Sequence, residues 1–536
     1  MKKCAFLILV AAGSLAAQQN SSSISFNRIL HAGSEPQNWL TYSGTEFGQR
    51  HSLLTQITPE NVNRLELQWV FQAKSLEKFE ATPLVVNGVL YTVQPPDDVF
   101  ALDAATGRIF WSYTYNPHPK SRTCCGRVNR GLAILGDTLF MGTIDAHLLA
   151  LDAKTGQVLW NTEVADPTQY YSITHAPLVV KDKVIVGTAG GDIGIGGILA
   201  AFDVHTGKEV WRFHTIPQPG EPGHDTWAGD SWKKGGAAIW NTGSYDPETN
   251  LTFWGTGNPQ PDWDGRKRLG DNLYSDSVLA LDADTGKLKW FYQFTPHDEM
   301  DYDSTQVPVL ADIDWHGAPR KVMLWANRNG LMYVLDRNTG QFLMGQPFTN
   351  VNWMSGFDEK GRPMRVPGKV PTPEGSTIMP TVLGGTNWYP PSFSPRTGWF
   401  YIPMWGNSGS IVTEGGRPKA TGNTPMGAVN LQTNLKLDKE GYGAVAAFDP
   451  KTGERKWEFK MNDITWAGVL TTESDLLFSG GREGYFYALD DRTGKLLWKA
   501  SLGGQINSGP MSYAVNGKQY IAVSAGQALF TFALRP

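Results

Sequence analysis

The sequence predicts an all-β protein, an eight-bladed β-propeller whose repeats are joined by docking tryptophans. The chain has 536 residues with 59 glycines and 33 prolines, a balance typical of many short strands joined by tight turns. A short phrase recurs along the chain with tryptophan after it, at a spacing of about 50 residues that is typical of propeller blades. A closed repeat can hold a chain of this length in one domain, so we expect residues 18–536 to form a single propeller.

The repeated phrase is Asp-x-x-Thr-Gly, followed by a strand that ends in tryptophan. Seven clear copies begin at Asp103, Asp152, Asp203, Asp282, Asp336, Asp449 and Asp490. The aspartate and threonine side chains can bond nearby backbone amides, and glycine supplies the positive φ that such a hairpin needs. The Asp336 copy has Met344 in place of tryptophan, and residues 394–398 resemble a degenerate copy in the long gap that follows. With that copy the repeats number eight.

Each tryptophan is expected to pack between neighbouring sheets and so join one blade to the next. The stretch around Leu67, Trp69 and Phe71 is expected to supply a strand that closes the ring with the C-terminal blade. Two long departures from the regular spacing, 213–276 and 343–442, predict loops around the central channel, where functional sites are built.

The first 17 residues predict a secretory signal peptide. Met1-Lys2-Lys3 forms a charged head, and Cys4 to Ala17 forms an apolar stretch with a small-residue end, so we expect cleavage near Ala16 or Ala17. A membrane anchor is disfavoured because the apolar run is too short to span a bilayer. The sequence therefore predicts a periplasmic or secreted protein. The formal charge of −4, with no basic cluster, argues against nucleic-acid binding.

Cys124 and Cys125 are adjacent and would be the only cysteines of the exported chain. Neighbouring Cα atoms lie about 3.8 Å apart, closer than in ordinary disulfides, so a bond between them closes a strained ring. From the pair alone, such a disulfide and two reduced buried thiols are equally acceptable.

The surrounding residues carry a family resemblance. The segment 124–131 resembles the Cys-Cys-x-x-Val-Asn-Arg-Gly signature of PQQ-dependent methanol and ethanol dehydrogenases. The segments 38–42, 255–259 and 296–303 also resemble that family, in the same order along the chain. The resemblance covers nearly the whole chain after the signal peptide. It implies an eight-bladed fold, the cofactor pyrroloquinoline quinone (PQQ) and one metal ion.

PQQ is a flat, tricarboxylated ortho-quinone, and the resemblance implies which residues bind it. The disulfide between Cys124 and Cys125 is implied to cover one face and Trp240 the other. The remaining implied cofactor residues are Glu80, Arg130, Thr174, Gly190, Gly191, Arg328, Asn387 and, along the far edge, Trp466. Arg130 is suited to bind a carboxylate of PQQ through two parallel hydrogen bonds. Trp263 is expected in the substrate wall.

The resemblance implies that Asp192, Asn258, Asp301 and Asp303 bind the metal. Hard cations prefer such oxygen ligands. The family usually has glutamate at the position of Asp192, which puts its direct coordination in question. Residues i and i+2 of an extended segment point to one side, so Asp301 and Asp303 are expected to face one ion. Lanthanide-dependent relatives tend to carry aspartate at the second position, and we therefore favour a lanthanide over Ca²⁺.

The function implied is oxidation of alcohols to aldehydes by hydride transfer to PQQ. Asp301 is the expected general base, and Arg328 is expected to stabilise charge on the quinone oxygens. No Cys-x-x-Cys-His motif for c-type haem occurs, so a soluble cytochrome c is the expected acceptor. The alternatives are a PQQ-dependent sugar or polyol dehydrogenase and a non-enzymatic propeller scaffold of outer-membrane assembly. The sequence leaves open whether the protein forms a homodimer.

Overall fold

The computed structural model describes residues 23–414, 429–434 (backbone only) and 441–535. The predicted signal peptide, residues 1–17, lies outside this range. Within it the chain forms eight blades of four antiparallel strands each, one of them extended by a fifth, parallel strand, and we number them as blades 1 to 8. No helix in the described ranges is long and apolar enough to cross a membrane.

Each blade begins with a buried inner strand and ends with an exposed outer strand. Blades 1 to 4 consist of Leu84–Val86, Val89–Gln94, Asp98–Asp103 and Ile109–Tyr113; Ala133–Leu135, Thr138–Gly142, His147–Asp152 and Val158–Glu163; Leu178–Val180, Lys183–Gly187, Ile198–Asp203 and Glu209–His214; and Ser244–Asp246, Leu251–Gly255, Ser277–Asp282 and Leu288–Gln293.

The remaining four blades follow the same order. Blades 5 to 8 consist of Val309–Trp315, Ala318–Ala326, Leu331–Asp336 and Phe342–Pro347; Ser392–Ser394, Trp399–Gly406, Tyr442–Phe448 and Arg455–Met461; Leu470–Thr472, Leu476–Gly480, Tyr485–Asp490 and Leu496–Ser501; and Met511–Val515, Lys518–Ala525, Ala528–Leu534 and Leu65–Gln72. The last strand of blade 8 comes from near the N-terminus and pairs with Ala528–Leu534. The expected ring closure is thus confirmed.

The tryptophans join the blades as the sequence predicts. Trp160 of blade 2 donates its indole N–H to the carbonyl of Val204 in blade 3, at 3.1 Å. Its ring covers Gly207, where an added Cβ would meet the indole at 2.7 Å. The same bond, between 2.8 and 3.2 Å, joins Trp69 to Ala104, Trp111 to Ala153, Trp211 to Ala283 and Trp457 to Asp491.

The interpretation of residues 394–398 as the eighth repeat is wrong. They form the hairpin between the first two strands of blade 6, and the Asp449 phrase belongs to the same blade. Blade 8 has no such phrase because its third and fourth strands come from opposite ends of the chain. No hairpin turn has to join them.

Short helical turns and two small sheets complete the fold. The α-helix is Phe26–Leu30, and the 3₁₀ turns are Ala32–Ser34, Val62–Arg64, Pro167–Gln169, Gly191–Ile193, His224–Thr226, Ser231–Lys234 and Gly265–Lys267. The second predicted insertion holds Met354–Phe357 paired with Pro363–Arg365, and the sheet of Ser376–Ile378, Gly409–Glu414 and Val429–Asn434. His51–Ser52 pairs in parallel with Leu470–Thr472.

Antiparallel alternation gathers two kinds of loop at one end of the propeller. These are the loops between consecutive blades and the loops between the second and third strands of a blade. We call this end the site face. The Asp-x-x-Thr-Gly turns join third and fourth strands and lie at the opposite end, which agrees with a role in forming hairpins rather than in chemistry.

Candidate active site

The site face encloses a cavity of about 260 Å³. The fifteen residues predicted to bind the cofactor or the metal, or to act in catalysis, all line it: Glu80, Cys124, Cys125, Arg130, Thr174, Gly190, Gly191, Asp192, Trp240, Asn258, Asp301, Asp303, Arg328, Asn387 and Trp466. Gly190 to Asp192, Asn258 and Arg328 come from loops between second and third strands, and the others come from loops between blades. Residues far apart in sequence therefore meet because the propeller returns each loop to one channel.

The sulfur atoms of Cys124 and Cys125 are bonded to each other, with Cα atoms 3.8 Å apart. This pair is exposed at the cavity mouth, and both sulfurs lie within 4.8 Å of a carboxylate oxygen of Asp192. Disulfide sulfurs are not thiolates, so they offer no metal ligand there. Their contribution to the site is an apolar surface, with Trp240 lining the same cavity.

Arg130 provides the positive charge at one wall. It forms an ion pair with Glu80, 2.9 Å between Nη2 and Oε2, and donates to Thr174 Oγ1 at 3.1 Å. Its guanidinium lies 4.4 Å from the ring centroid of Trp388 and 5.3 Å from that of Trp240. Arg130 Nε is buried and has no hydrogen-bond partner among the described residues. One donor of this fixed cation is therefore left for a ligand.

A second aromatic wall surrounds Trp466. Its ring stacks on Trp405, with centroids 6.3 Å apart, and the ammonium of Lys78 lies 4.3 Å from its ring centroid. The Trp466 indole N–H is buried without a partner in the described part of the chain. Asn387 lies nearby in the lining but donates to its own loop, at Leu383 O.

Arg328 binds both acids of the expected catalytic segment. Its Nη1 lies 2.6 Å from Asp303 Oδ2, and its Nη2 lies 2.8 Å from Asp301 Oδ2. The guanidinium also donates to the carbonyl of Val382 at 2.7 Å. Both carboxylates thus face one cavity wall, but not for the reason the sequence suggested. The segment is not extended, since Asp301 is left-handed with φ of 59°.

The carboxylate of Asp298 holds that backbone conformation. One oxygen accepts the amide of Met300 at 3.0 Å, and the other accepts the amide of Tyr302 at 2.8 Å. These two amides flank Asp301 on either side. A left-handed residue other than glycine persists only where its surroundings over-determine it, and Asp298 supplies that constraint.

Asn258 is oriented by a residue that the sequence interpretation missed. Its Nδ2 donates to Asp262 Oδ1 at 2.6 Å, and its backbone amide donates to Asp303 Oδ1 at 2.9 Å. Gly257 permits this approach, because a Cβ there would overlap Asp303 Oδ1. With its amide nitrogen held by Asp262, the Asn258 carbonyl oxygen remains for a cation.

Arg268 braces the two loops that carry these residues. It is fully buried and donates to the carbonyls of Pro261 and Asp262, at 2.9 and 2.8 Å. It also donates to the carbonyl of Asp298 and to Asn272 Oδ1. One guanidinium therefore links the Asn258 loop to the Asp301 loop through carbonyl acceptors.

The buried carboxyl groups of the cavity have raised pKa values. Burial raises the pKa of Asp192 to about 6, and the charge of Asp303 raises it in the same direction. Burial also raises the pKa of Asp301 well above its usual range, Arg328 opposes this, and Asp303 adds to it. The pKa of Asp262 is raised by burial and by the charges of Asp192 and Asp301. Mutual repulsion of this kind is relieved by a cation.

Comparison with known proteins identifies the family. A model described as the β-propeller domain of glucose, ethanol and alcohol dehydrogenases, named for PQQ, matches residues 39–352. The chain is 36% identical to quinoprotein alcohol dehydrogenase PedH of Pseudomonas putida, over 97% of this chain and 91% of the relative. The chain belongs to the quinoprotein alcohol dehydrogenases.

Two further members of this family are also similar. The chain is 38% identical to the lanthanide-dependent methanol dehydrogenase of Methylacidiphilum fumariolicum, over 93% of this chain and 86% of the relative. A solved europium-containing methanol dehydrogenase superposes with a TM-score of 0.89 at 34% identity, covering 95% of this chain and all of that one. Residues 441–534 match a model described as outer membrane protein assembly factor BamB. That match covers only the last blades.

The cavity of this quinoprotein alcohol dehydrogenase fits the cofactor and a metal ion. The unpartnered donors of Arg130 and Trp466 and the adjacent aromatic rings suit a flat polycarboxylate. The three lining carboxylates and the Asn258 amide form an oxygen donor set for a hard cation. Asp262 Oδ2 is buried without a partner in the described ranges, next to the Asn258 amide that the other oxygen of Asp262 accepts.

Several site residues of this quinoprotein were missed from the sequence. Lys78, Trp388, Tyr389 and Trp405 line the cavity. Trp388 and Tyr389 directly follow Asn387 in the sequence, so they could have been predicted as its neighbours. Nothing in the sequence indicates that Lys78 and Trp405 line the cavity. Trp263, which the sequence places in the substrate wall, is buried in a cluster with Met300 and Tyr302 and is not among the residues that line this cavity.

Proposed function

We propose that the protein is an exported PQQ- and metal-dependent dehydrogenase that oxidises alcohols to aldehydes and passes electrons to a soluble cytochrome c. One observation carries this proposal: an acid pair held by one arginine shares a cavity with the vicinal disulfide and Trp240. Export is supported by the composition of residues 1–17.

The residues of the chain divide the chemistry between them. When bound, PQQ supplies the hydride acceptor and the metal ion acts as a Lewis acid at its carbonyl. Asp301 accepts the hydroxyl proton of the alcohol, and the carbon-bound hydrogen leaves with its electron pair, so an aldehyde remains. Arg328 is positioned beside Asp301 to stabilise negative charge. The disulfide and the tryptophans limit the access of water.

We favour a lanthanide as the metal. Asp303 is buried and lines the cavity beside Asp192, Asp301 and Asn258, which would give three carboxylates and one amide. Three carboxylates balance the charge of a trivalent ion, whereas with a divalent ion they would leave an excess negative charge. Asp303 accepts the Asn258 amide through Oδ1 and Arg328 through Oδ2, and each carboxylate oxygen keeps a lone pair for the ion. The relatives named for lanthanide and europium support the same assignment.

Reconstitution tests the proposal. Cofactor-free protein should be inactive, and PQQ with lanthanum should restore oxidation of simple alcohols with a dye as electron acceptor. The same panel should include aldehydes, sugars and polyols, because a sugar or polyol dehydrogenase is the second candidate. Full turnover by cofactor-free protein would contradict the proposal. A preference for sugars or polyols would favour the second candidate, a sugar or polyol dehydrogenase. N-terminal sequencing of protein from the periplasm checks export.

A further inference from the structure

A second cavity lies where the N-terminal segment crosses the propeller. Residues 37–52 run across the inner strands and form backbone hydrogen bonds with six of the eight blades. The pairs are Trp39 with Val85 in blade 1, Glu46 with Tyr245 in blade 4, Phe47 with Leu310 in blade 5, Gln49 with Phe393 in blade 6, Arg50 with Thr471 in blade 7 and Gln37 with Ala514 in blade 8. This segment therefore ties most of the ring together from inside.

Blades 2 and 3 are the exception. No backbone hydrogen bond joins residues 37–52 to their inner strands, Ala133–Leu135 and Leu178–Val180, in the described part of the chain. A cavity of about 20 Å³ lies between the segment and those strands. A cavity needs about 10–15 Å³ to hold one water-sized particle, so this one holds a single particle of that size.

Glu46 lines this cavity, and no basic side chain of the described residues forms an ion pair with it. Its side chain belongs to a residue only 5% exposed, and Oε2 is buried without a hydrogen-bond partner among the described residues. Burial raises the pKa of Glu46 to about 8, and no basic group offsets that effect. An ionised carboxylate buried in this way is costly unless a cation or several donors compensate it.

Four further residues of the same segment line this cavity and carry hydroxyl groups. Thr41 Oγ1, Ser43 Oγ and Thr45 Oγ1, at alternate positions, are buried without a hydrogen-bond partner within the described ranges, and so is Tyr42 Oη between them. The segment thus has five oxygen-bearing side chains at one small cavity.

We propose that this cavity is a structural site for a sodium-sized monovalent cation, held by the Glu46 carboxylate and the hydroxyls of Thr41, Ser43 and Thr45. Hard cations take oxygen ligands of this kind. One carboxylate with neutral hydroxyls balances a single positive charge, whereas a divalent ion would leave net charge buried. The cation compensates the buried charge of Glu46 at the place where no backbone pairing joins the segment to blades 2 and 3.

The test compares sodium with an organic cation at equal ionic strength. Protein loaded with PQQ and metal should unfold at a temperature that rises with sodium chloride but not with choline chloride. Glu46→Gln should lose this sodium dependence while its catalytic metal content stays normal. Glu163→Gln, which removes an exposed glutamate on the outer strand of blade 2, should keep it. If Glu46→Gln does not fold, Ser43→Ala should show a weakened sodium response in its place.

A crystal structure in sodium chloride gives an independent readout. Contacts to the Glu46 oxygen and the hydroxyls should be shorter than an O–H···O hydrogen bond of about 2.7 Å. Contacts at hydrogen-bond length, or equal responses to sodium and choline, would identify a water beside a neutral Glu46 and overturn the proposal. An unchanged sodium response in Glu46→Gln would overturn it as well.

Discussion

Arg328 Nη1 lies 2.6 Å from Asp303 Oδ2 in a buried ion pair. The other nitrogen of the same guanidinium holds Asp301, so one planar cation sets the orientation of both acids. Charge-assisted bonds of this geometry are strong and directional. Because each acid binds a different nitrogen of Arg328, aspartate-to-asparagine substitutions, which keep the shape of the side chain, can test the role of each acid separately.

Asp301→Asn should reduce turnover by about 10²–10⁴-fold, the usual contribution of a general base. The amide keeps the size of the side chain but cannot accept the alcohol proton. The rate should be measured together with bound PQQ and metal, since loss of either would lower it indirectly. Asp225→Asn, at an exposed turn, is the matched control and should keep full activity. Near-normal turnover in Asp301→Asn with normal metal content would refute its role.

Asp303→Asn tests the choice of metal. The variant keeps an oxygen that can accept the Asn258 amide but removes one negative charge from the wall. Metal-free protein should be reconstituted with PQQ and either lanthanum or calcium. We expect the wild type to favour lanthanum and the variant to lose most of that preference. Activity with calcium alone, unchanged in the variant, would contradict the lanthanide assignment and leave the dehydrogenase function intact.

Arg268→Lys should weaken the metal site from a distance. Lysine keeps the charge but cannot reach all the carbonyls that join the Asn258 loop to the Asp301 loop. Supporting residues of metal ligands typically contribute about 10–100-fold in affinity, and we expect a loss of that size. Terbium luminescence titration of the PQQ-loaded protein measures it without relying on turnover.

The chain offers a matched control for this variant. Arg337 is also fully buried, but it lies after the third strand of blade 5, at the end opposite the site face, and pairs with Asp246 and Asp312. Arg337→Lys should lower the unfolding temperature and leave terbium affinity unchanged. Equal losses of terbium affinity in both variants would show that general destabilisation lowers the affinity. In that case Arg268 would have no specific role in joining the Asn258 and Asp301 loops.

The fold was predictable from sequence because its strongest signal is local. An aspartate, a threonine and a glycine define a turn within five residues, and the tryptophan follows at a fixed distance, so the periodicity appears without knowledge of contacts. The count of eight was right, but residues 394–398 were assigned to the wrong place. Blade 8 combines both ends of the chain, and a periodic phrase cannot show a pairing between Leu65–Gln72 and Ala528–Leu534.

The candidate site was predictable where short motifs carried it. Asp262 and Arg268 lie in the same loop as Asn258, yet nothing in their spacing shows that they face Asn258 and the Asp298 carbonyl. The conformation of Asp301 was also out of reach, because it depends on two amide bonds to Asp298. The packing of Trp263 with Met300 and Tyr302 was likewise out of reach, because a position near Asn258 in the sequence does not show which way a side chain points.

Cys124 and Cys125 should be joined in the exported protein. Alkylation under denaturing conditions should label neither cysteine until a reductant is added, after which both should react. Residues 18–536 contain no other cysteine, so labelling can be assigned without ambiguity. Labelling of freshly exported protein before reduction would show that the pair is reduced. Cys124→Ala provides the positive control, because the remaining thiol should label at once.

Stability should fall in mild acid because of His175. This histidine is fully buried; Gly187 N donates to its Nε2 at 2.9 Å, and its Nδ1 lies 2.8 Å from Ala176 O. Burial lowers its pKa to about 4. The unfolded chain has the ordinary value of about 6.5, so between these values unfolding takes up a proton. As the pH falls through this window, His175 should lower the free energy of unfolding by about 1.4 kcal/mol per pH unit.

The prediction concerns the slope of stability against pH rather than its absolute value. His175→Gln cannot take up this proton, so its unfolding free energy should decline less steeply from pH 6.5 to 4 than that of the wild type, even if the variant is less stable throughout. His205→Gln alters an exposed histidine in a blade turn and should keep the wild-type slope. Denaturant titrations at several pH values measure all three proteins. Parallel curves for His175→Gln and the wild type would mean that His175 is protonated in the folded protein, against the burial that surrounds it.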